Sequence, residues 1–216
     1  MAQIFHPSFN TLSKVSIFGA LFFLVVALWA WDMLLRSPYT TQAGVARDQP
    51  VPFSHKHHVA GLGLDCRYCH TSADRSAFAG MPSTKTCMTC HSVVWKDAPY
   101  IQLVAASYRT DMPLRWTRVH DLPDFAYFNH AIHVAKGIGC TTCHGEVDEM
   151  ALMWREHTLN MDWCLDCHRD PEAFVRPRER VYDPDWDPRE ITLEERRQLV
   201  TDYHIASLTN CSVCHR

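Results

Sequence analysis

The hydrophobic residues of this chain are concentrated in one run near the amino end. Residues 15–35, VSIFGALFFLVVALWAWDMLL, lie between Lys14 and Arg36. A helix of this length can cross the hydrocarbon core of a membrane, which is roughly 30 Å thick, and Trp29 and Trp31 fit an interfacial belt. We therefore expect a transmembrane helix over residues 15–36. The alternative is a cleaved signal peptide, although the apolar part of such a peptide is normally shorter, about 7 to 15 residues.

After this run, the pattern of apolar and polar positions predicts short elements. Residues 37–52 are rich in turn formers and are expected to form a connector. Four prolines between positions 171 and 188 indicate an extended strap. The sequence from Thr192 to Glu195 is a capping box, which predicts a helix through about Tyr203. The fold class we expect is mainly α with little regular secondary structure.

One five-residue pattern occurs five times in this polar part: a cysteine, two variable residues, a second cysteine and a histidine. Two thiols at this spacing can form thioethers with the two vinyl groups of one haem, and the adjacent histidine can bind the iron. The five copies use all ten cysteines and predict five covalently attached haem c groups. The cysteine pairs are Cys66 and Cys69, Cys87 and Cys90, Cys140 and Cys143, Cys164 and Cys167, and Cys211 and Cys214, and the histidines are His70, His91, His144, His168 and His215.

Two other uses of cysteine explain this pattern less well. Structural zinc sites take four ligands, often from two CxxC pairs, but five pairs do not divide into fours, and zinc does not require a histidine after every pair. A disulfide framework gives that histidine no role. We therefore interpret the cysteines as haem-attachment residues.

The number of haems constrains the fold and its location. Residues 37–216 provide about 36 residues for each of five haems, too few for a separate side-chain core around each ring. We expect a compact multihaem cytochrome c domain over residues 53–216, with the haems forming its core. Because haem is attached to such motifs outside the cytoplasm, this domain should lie on the periplasmic face of the cell membrane, with residues 1–14 in the cytoplasm.

An internal repeat supplies candidate distal ligands. The pattern F-x-H-x-x-H precedes the first and the third CxxCH motif, so residues 53–91 and 128–168 form two copies of a two-haem unit, and the fifth site, residues 211–215, follows them. Histidines three apart on a helical turn face one side, and an iron that already has its CxxCH histidine offers one further axial position. The two histidines must therefore serve two closely spaced haems, as electron transfer along a chain requires. The distal ligands predicted in this way are His55, His58, His130 and His133.

The fifth distal ligand is predicted to be His120. This histidine lies between the two repeats, and Pro123 stiffens the turn that follows it. The other candidates are His57, His157 and His204. A methionine ligand is a further alternative and would raise the potential of its haem.

The repeated unit resembles the class III and c7-type multihaem cytochromes. Together with the helix and the five motifs, the stretches WTRVHDLPDFAYFNHAIHVAKGIGCTTCH and LNMDWCLDCHRDPE resemble the membrane-anchored pentahaem cytochrome c subunit of alternative complex III. The resemblance covers most of the chain. It implies quinol oxidation in polytopic membrane subunits, electron transfer through an iron–sulfur subunit and this cytochrome, and delivery to a monohaem cytochrome or a soluble acceptor. It also implies bis-histidine ligation, which carries over to His55, His58, His130, His133 and His120.

Other functions agree less well with the sequence. A formal net charge of −3 indicates no nucleic-acid partner. Pentahaem nitrite reductases have a catalytic motif that ends in lysine, whereas all five motifs here end in histidine, so we expect the chain to transfer electrons and not to be an enzyme by itself. The main alternative is a stand-alone quinol dehydrogenase anchored by one helix, although its haem domain lacks the block found here at residues 116–144.

Overall fold

The apolar run forms a long helix in the computed structural model, which describes residues 4–215. Helix α1, Ser8–Arg36, contains the predicted span and begins directly after Pro7. It ends because Ser37 is extended ahead of Pro38, and a proline disfavours helical dihedral angles in the preceding residue. None of its residues is buried. The helix is long and apolar enough to cross a membrane, although a signal sequence near an amino end would satisfy the same criteria.

The chain divides into two compact units after Gln42. The first unit contains α1 and a short helix, α2, Pro38–Thr41, which ends where Gln42 adopts a left-handed conformation with φ of 58°. The second unit begins at Ala43 and contains all five CxxCH motifs. The predicted connector, residues 37–52, is thus shared between the two units. Residues 1–3 of the predicted cytoplasmic segment, and residue 216 of the predicted haem domain, lie outside the described residues.

Short helices separated by irregular segments make up the second unit. Residues 4–215 contain three isolated β-bridges and no β-strand, which confirms the mainly α fold. The α-helices are α3 (His55–His58), α4 (Cys66–Cys69), α5 (Thr84–His91), α6 (Pro99–Thr110), α7 (His130–Ala135), α8 (Cys140–His144), α9 (Met161–Arg169), α10 (Leu193–Asp202) and α11 (Cys211–Cys214). Short 3-10 helices span Val147–Glu149, Pro171–Ala173, Arg178–Arg180 and Pro188–Glu190.

Side-chain caps fix where several of these helices begin. Ser54 accepts a hydrogen bond from a backbone N–H of α3, and Asn129 accepts one from a backbone N–H of α7. Both caps come directly before the histidines of the F-x-H-x-x-H pattern, so they set the start of these turns. The predicted capping box also forms: the Thr192 hydroxyl accepts from the Glu195 N–H at 3.2 Å, and the Glu195 carboxylate accepts from the Thr192 N–H at 2.7 Å. The predicted helix is therefore confirmed as α10.

The two repeats adopt the same local arrangement. In each, a phenylalanine ring stands edge-on to the first histidine of the turn and stacks on the second. The duplicated sequence thus produces duplicated geometry. The ring-centroid distances are 4.9 and 4.4 Å from Phe53 to His55 and His58, and 4.7 and 4.4 Å from Phe128 to His130 and His133.

The two repeats also contact each other reciprocally. The N–H of Lys56 in α3 donates to the carbonyl of Met150 at 3.0 Å, and the N–H of Ala131 in α7 donates to the carbonyl of Ser76 at 3.1 Å. Lys56 and Ala131 occupy the same position of the two F-x-H-x-x-H turns. Met150 and Ser76 occupy the same position behind the first motif of each repeat. The helical turn of each repeat therefore contacts the segment that follows the other repeat's first motif.

The proline-containing segment, residues 170–190, packs against the third motif through Arg176. This arginine is buried, and its guanidinium donates to the hydroxyls of Thr141 and Thr142 in α8 at 3.1 and 3.2 Å. It also donates to the carbonyl of Asp183 at 3.2 Å. A β-carbon at Gly139 would lie 2.0 Å from the Arg176 Cζ atom. The glycine before the third motif therefore makes room for the arginine.

The second unit buries few apolar side chains of its own. A chain segment of this length normally builds a larger side-chain core. The small core agrees with the expectation that large prosthetic groups complete the packing. The buried hydrophobic residues within positions 4–215 are Val51, Val104, Ala105, Met150, Val175, Val181 and Trp186.

Candidate functional site: the CxxCH motifs and their histidine partners

Each CxxCH motif lies on one helical turn. Helices α4, α8 and α11 consist only of residues of the first, third and fifth motifs. The second and fourth motifs lie in the carboxy-terminal parts of the longer helices α5 and α9. A helical turn brings residues three apart to the same side. All ten cysteines are free thiols. Each motif therefore presents two thiols side by side, as thioether attachment to one haem requires.

Three motif histidines lie opposite a repeat histidine at the spacing of two axial ligands. Two imidazoles that bind one metal ion from opposite sides, at metal–nitrogen distances of about 2 Å, have ring centroids roughly 6 Å apart. The second, third and fourth motifs are thus each paired with one of the predicted distal ligands. The centroid distances are 6.2 Å for His58 and His91, 6.3 Å for His130 and His144, and 6.2 Å for His133 and His168.

His55 is assigned to the first motif by the repeat. It lies close enough to His70 for the two rings to interact electrostatically. It is also the first histidine of its turn, as His130 is in the second repeat, and His130 faces the histidine of the motif that follows it. The two histidines of each turn therefore lie against different motifs.

Backbone carbonyls hold the second nitrogen of most of these rings. A carbonyl only accepts hydrogen bonds, so the facing Nδ1 carries the proton and Nε2 retains its lone pair, which is the form that binds a metal. The rings are thus held ready for axial ligation. The distances from Nδ1 to the carbonyl oxygen are 3.0 Å for His70, 3.0 Å for His91, 3.1 Å for His215, 2.8 Å for His58, 2.8 Å for His133 and 3.1 Å for His130.

His120, the predicted fifth distal ligand, lies beside His144. Its Nε2 is 3.2 Å from the Nδ1 of His144, and the two rings have centroids 4.3 Å apart and planes at 72°. Of the other candidates, His57 stacks on Trp95 and His157 stacks on Trp163. The carbonyl of His204 accepts a hydrogen bond from Lys136. The ring of His215 in the fifth motif lies 5.8 Å from that of Phe125.

Burial favours the neutral form of five of these histidines. It lowers the pKa of His144 to about 3 and lowers the pKa values of His55 and His120 to about 4, because a charged ring loses its hydration when it is buried. Burial also lowers the pKa values of His58 and His133. A neutral imidazole has the lone pair that iron ligation needs.

The positions of the thiols show that the motifs lie in a series. Thiols of different motifs lie close enough to interact electrostatically, and the Tyr68 and Thr89 hydroxyls, 2.9 Å apart, also connect the first two motifs. The resulting spatial order is second, first, third, fourth and fifth. The neighbouring thiols are Cys87 and Cys69, then Cys66 and Cys140, then Cys143 with Cys164 and Cys167, and finally Cys164 and Cys214.

Two of these thiols are kept protonated by burial. Burial raises the pKa of Cys143 to about 12 and that of Cys167 to about 11, and metals bind the thiolate form. Among residues 4–215, no three His, Cys, Asp or Glu side chains are grouped as a metal site built from side chains requires. The residues present fit haem c, held by thioethers and axial histidines.

Comparison with known families agrees with this geometry. A family model described as cytochrome c7 and related cytochrome c matches residues 126–216, and a model of the class III cytochrome c family matches residues 33–120. Each matched segment contains one repeat. Together with the five CxxCH motifs and the paired histidines, these matches define the class that the chain resembles, the multihaem c-type cytochromes.

Similarity to one individual protein gives more specific information than the family models. The chain is similar to the multiheme cytochrome c subunit of menaquinone reductase from Nitratidesulfovibrio vulgaris (strain Hildenborough), with 35% identity over 127 residues. These residues are 58% of this chain and 56% of the relative, so the match spans little more than half of either protein.

Two features of the site could not be predicted from the sequence motifs. Arg176 has no local signature, and only Gly139, directly before Cys140, indicates that another group approaches the third motif closely. The contact of His120 with His144 was also missed, because a lone histidine far from the motif carries no signal of its partner.

Proposed function

We propose that this multihaem cytochrome is the electron-transfer subunit of a quinol-oxidising membrane complex of the alternative complex III type. In this proposal, five covalently attached haem c groups carry electrons from an iron–sulfur subunit to a monohaem cytochrome or a soluble acceptor. Haem supplies reversible one-electron oxidation and reduction. The observation that carries the proposal is the unbroken series of five motifs, in which the thiols of successive sites are neighbours.

The residues of the chain bind and orient the haems in this proposal. The ten cysteines attach them, and the histidines of the motifs provide proximal ligands. The repeat histidines His55, His58, His130 and His133 provide distal ligands, supported by the three pairs at 6.2 to 6.3 Å. The backbone carbonyls at Nδ1 fix the rings, which keeps the ligands in place when an iron changes charge.

The proposal also places the protein in the cell membrane. Helix α1 serves as a single-pass anchor, with the haem domain on the periplasmic face and residues 1–14 on the cytoplasmic side. The length and hydropathy of α1 support the anchor. The polytopic quinol-binding subunits of the complex would lie next to α1 in the bilayer.

The relative supports a second candidate, with electrons delivered to menaquinone. Its name joins a multihaem cytochrome subunit to menaquinone reduction. Both candidates require partner subunits, whereas the stand-alone quinol dehydrogenase does not.

Purification from native membranes tests the partners. After extraction in mild detergent, a carboxy-terminally tagged chain should co-purify with an iron–sulfur subunit and polytopic membrane subunits, and a quinol analogue should reduce its haems only in that complex. Rapid reduction of the isolated chain by the same analogue would instead support the stand-alone enzyme. Oxidation of the pre-reduced complex by a menaquinone analogue, without reduction by the quinol, would support the second candidate.

A distal-ligand variant tests the haem sites themselves. The intact mass of the wild-type chain should correspond to five attached haems. His133→Ala should keep that mass but convert one low-spin ferric signal to high spin in the electron paramagnetic resonance (EPR) spectrum, because one iron loses an axial ligand. His6→Ala is the matched control, because His6 lies in the first unit, outside the haem domain, and this variant should leave the spectrum unchanged. Fewer than five haems in the wild type, or an unchanged spectrum for His133→Ala, would contradict the assignment.

A further inference from the structure

The third motif differs from the first, second and fifth motifs in the group that faces its histidine Nδ1. In the first, second and fifth motifs, this nitrogen faces the backbone carbonyl of Gly80, Val94 or Phe125. In the third motif it faces a side chain, the Nε2 of His120, at 3.2 Å. Both atoms are ring nitrogens, so one donates and the other accepts.

The geometry determines which histidine binds the iron. His144 faces His130 with a centroid distance of 6.3 Å and nearly parallel rings, 6° apart, which is the arrangement of two axial ligands. The distance of 4.3 Å between His120 and His144 is too short for a metal ion to lie between them through Nε2 of each ring. An iron bound between His144 and His130 would therefore be held by the Nε2 of His144, while its Nδ1–H faces His120.

The segment that carries His120 is held firmly. The guanidinium of Arg155 donates to the carbonyl of Val119 at 3.0 and 3.2 Å. The side-chain amide of Gln49 donates to the carbonyl of Thr117 and accepts from its N–H, each at 2.9 Å. These contacts hold the backbone on the amino-terminal side of His120.

We propose that His120 is a positioning residue for the third haem site, where its Nε2 accepts a hydrogen bond from the Nδ1–H of His144. This inference rests on the proposed haem attachment at Cys140 and Cys143. It assigns His120 a different role from the sequence prediction, in which His120 is the fifth distal ligand.

The acceptor has a chemical consequence. An imidazole nitrogen is a more basic acceptor than a backbone carbonyl, so it draws the Nδ1 proton more strongly and makes His144 a more electron-rich ligand. An electron-rich ligand favours the ferric iron. The third haem should therefore have a lower potential than it would with a carbonyl at this position, and the His120 ring should also fix the plane of His144 relative to His130.

Two variants of the full-length chain test this role. His120→Leu removes the acceptor, and His120→Gln keeps one, because the Gln amide oxygen reaches a similar position. In His120→Leu we expect the wild-type haem mass and no new high-spin EPR signal. We also expect one midpoint potential to rise by about 60 mV, which corresponds to a tenfold shift of the one-electron equilibrium of that haem. In His120→Gln we expect potentials and spectra close to those of the wild type. His6→Leu is the matched control, because His6 lies in the first unit, outside the haem domain, and this variant should not raise a potential.

The outcomes separate the competing roles. A new high-spin signal in both His120 variants would show that His120 is an axial ligand and would overturn the proposal. Unchanged potentials and spectra in His120→Leu would also overturn it. If His120→Leu cannot be produced, a high-spin signal in His120→Gln overturns the proposal, and wild-type spectra there support it. The intact mass of the wild type tests haem attachment separately. A result against haem attachment can therefore be distinguished from a result against the positioning role of His120.

Discussion

At the scale of single residues, the third motif has an unusual charge environment. The guanidinium of Arg176 is buried beside Cys140 and Cys143, and its hydrogen bonds go to hydroxyls and carbonyls. A positive charge in a poorly solvated position favours the reduced iron, which has one positive charge fewer. Arg176 and His120 therefore act on the third site in opposite directions, the arginine raising its potential and the histidine lowering it.

The positive charge of Arg176 can be removed while most of the side-chain volume is kept. Arg176→Met should lower one midpoint potential by tens of millivolts, on a scale where about 60 mV is a tenfold change in a one-electron equilibrium. A redox titration followed in the haem absorption bands measures the shift. Arg176→Lys keeps the charge and should shift that potential less. An unchanged potential in Arg176→Met would contradict the electrostatic role.

At the scale of elements, the link between α7 and α8 depends on close backbone packing. Gly137 has φ of 75°, and a β-carbon there would lie 2.4 Å from the carbonyl oxygen of Arg176. Gly63 has a similar φ of 68°, but nothing lies within 4 Å of the position of its β-carbon. A side chain at position 63 would therefore cause conformational strain alone, whereas one at position 137 would also overlap the neighbouring backbone.

Substitution of these glycines should have unequal effects. Gly63→Ala should lower the free energy of unfolding by about 1 kcal/mol, from left-handed strain alone. Gly137→Ala should lower it by a further 1 to 3 kcal/mol, roughly, because the alanine also displaces the backbone of residue 176. Urea unfolding of the haem-loaded proteins measures both values. An equal decrease in the free energy of unfolding for both variants would show that the proline-containing segment, residues 170–190, does not pack closely against residue 137.

The capping box of α10 gives a second prediction at this scale. Thr192→Ala removes the hydroxyl that accepts from the Glu195 N–H and should lower the free energy of unfolding by about 1 kcal/mol. Thr201→Ala is the control, because that exposed hydroxyl only donates to a carbonyl within the same helix, and its effect should stay within about 0.5 kcal/mol. If the two variants lose equal stability in urea, the capping box is not what stabilises the start of α10.

At the scale of the whole molecule, α1 is either a membrane anchor or a signal sequence. If it is a retained anchor, the protein should stay in the membrane fraction after washes with high salt and alkaline carbonate, and its intact mass should include residues 15–36. A peripheral protein of the same membranes, released by these washes, is the control. A shorter, released chain would identify α1 as a cleaved signal sequence.

The features that the sequence predicted are those encoded within a few residues. The apolar run predicted α1, the Thr192 and Glu195 pair predicted α10, and the F-x-H-x-x-H turns predicted histidines that face different motifs. The order of the motifs could not be predicted, because it depends on contacts such as that between Cys66 and Cys140, which are far apart in the chain. The roles of Arg176 and His120 depend on similar long-range packing.

The reciprocal contacts between the repeats have a consequence for how the two repeats pair. Lys56 and Ala131 are equivalent residues, and so are Met150 and Ser76, so each half contacts the other through the same positions. Closed homodimers form through self-complementary faces of this kind. The duplicated unit therefore supplies within one chain the pairing that two separate copies would make as a homodimer. Because both units belong to one chain, this pairing is independent of protein concentration.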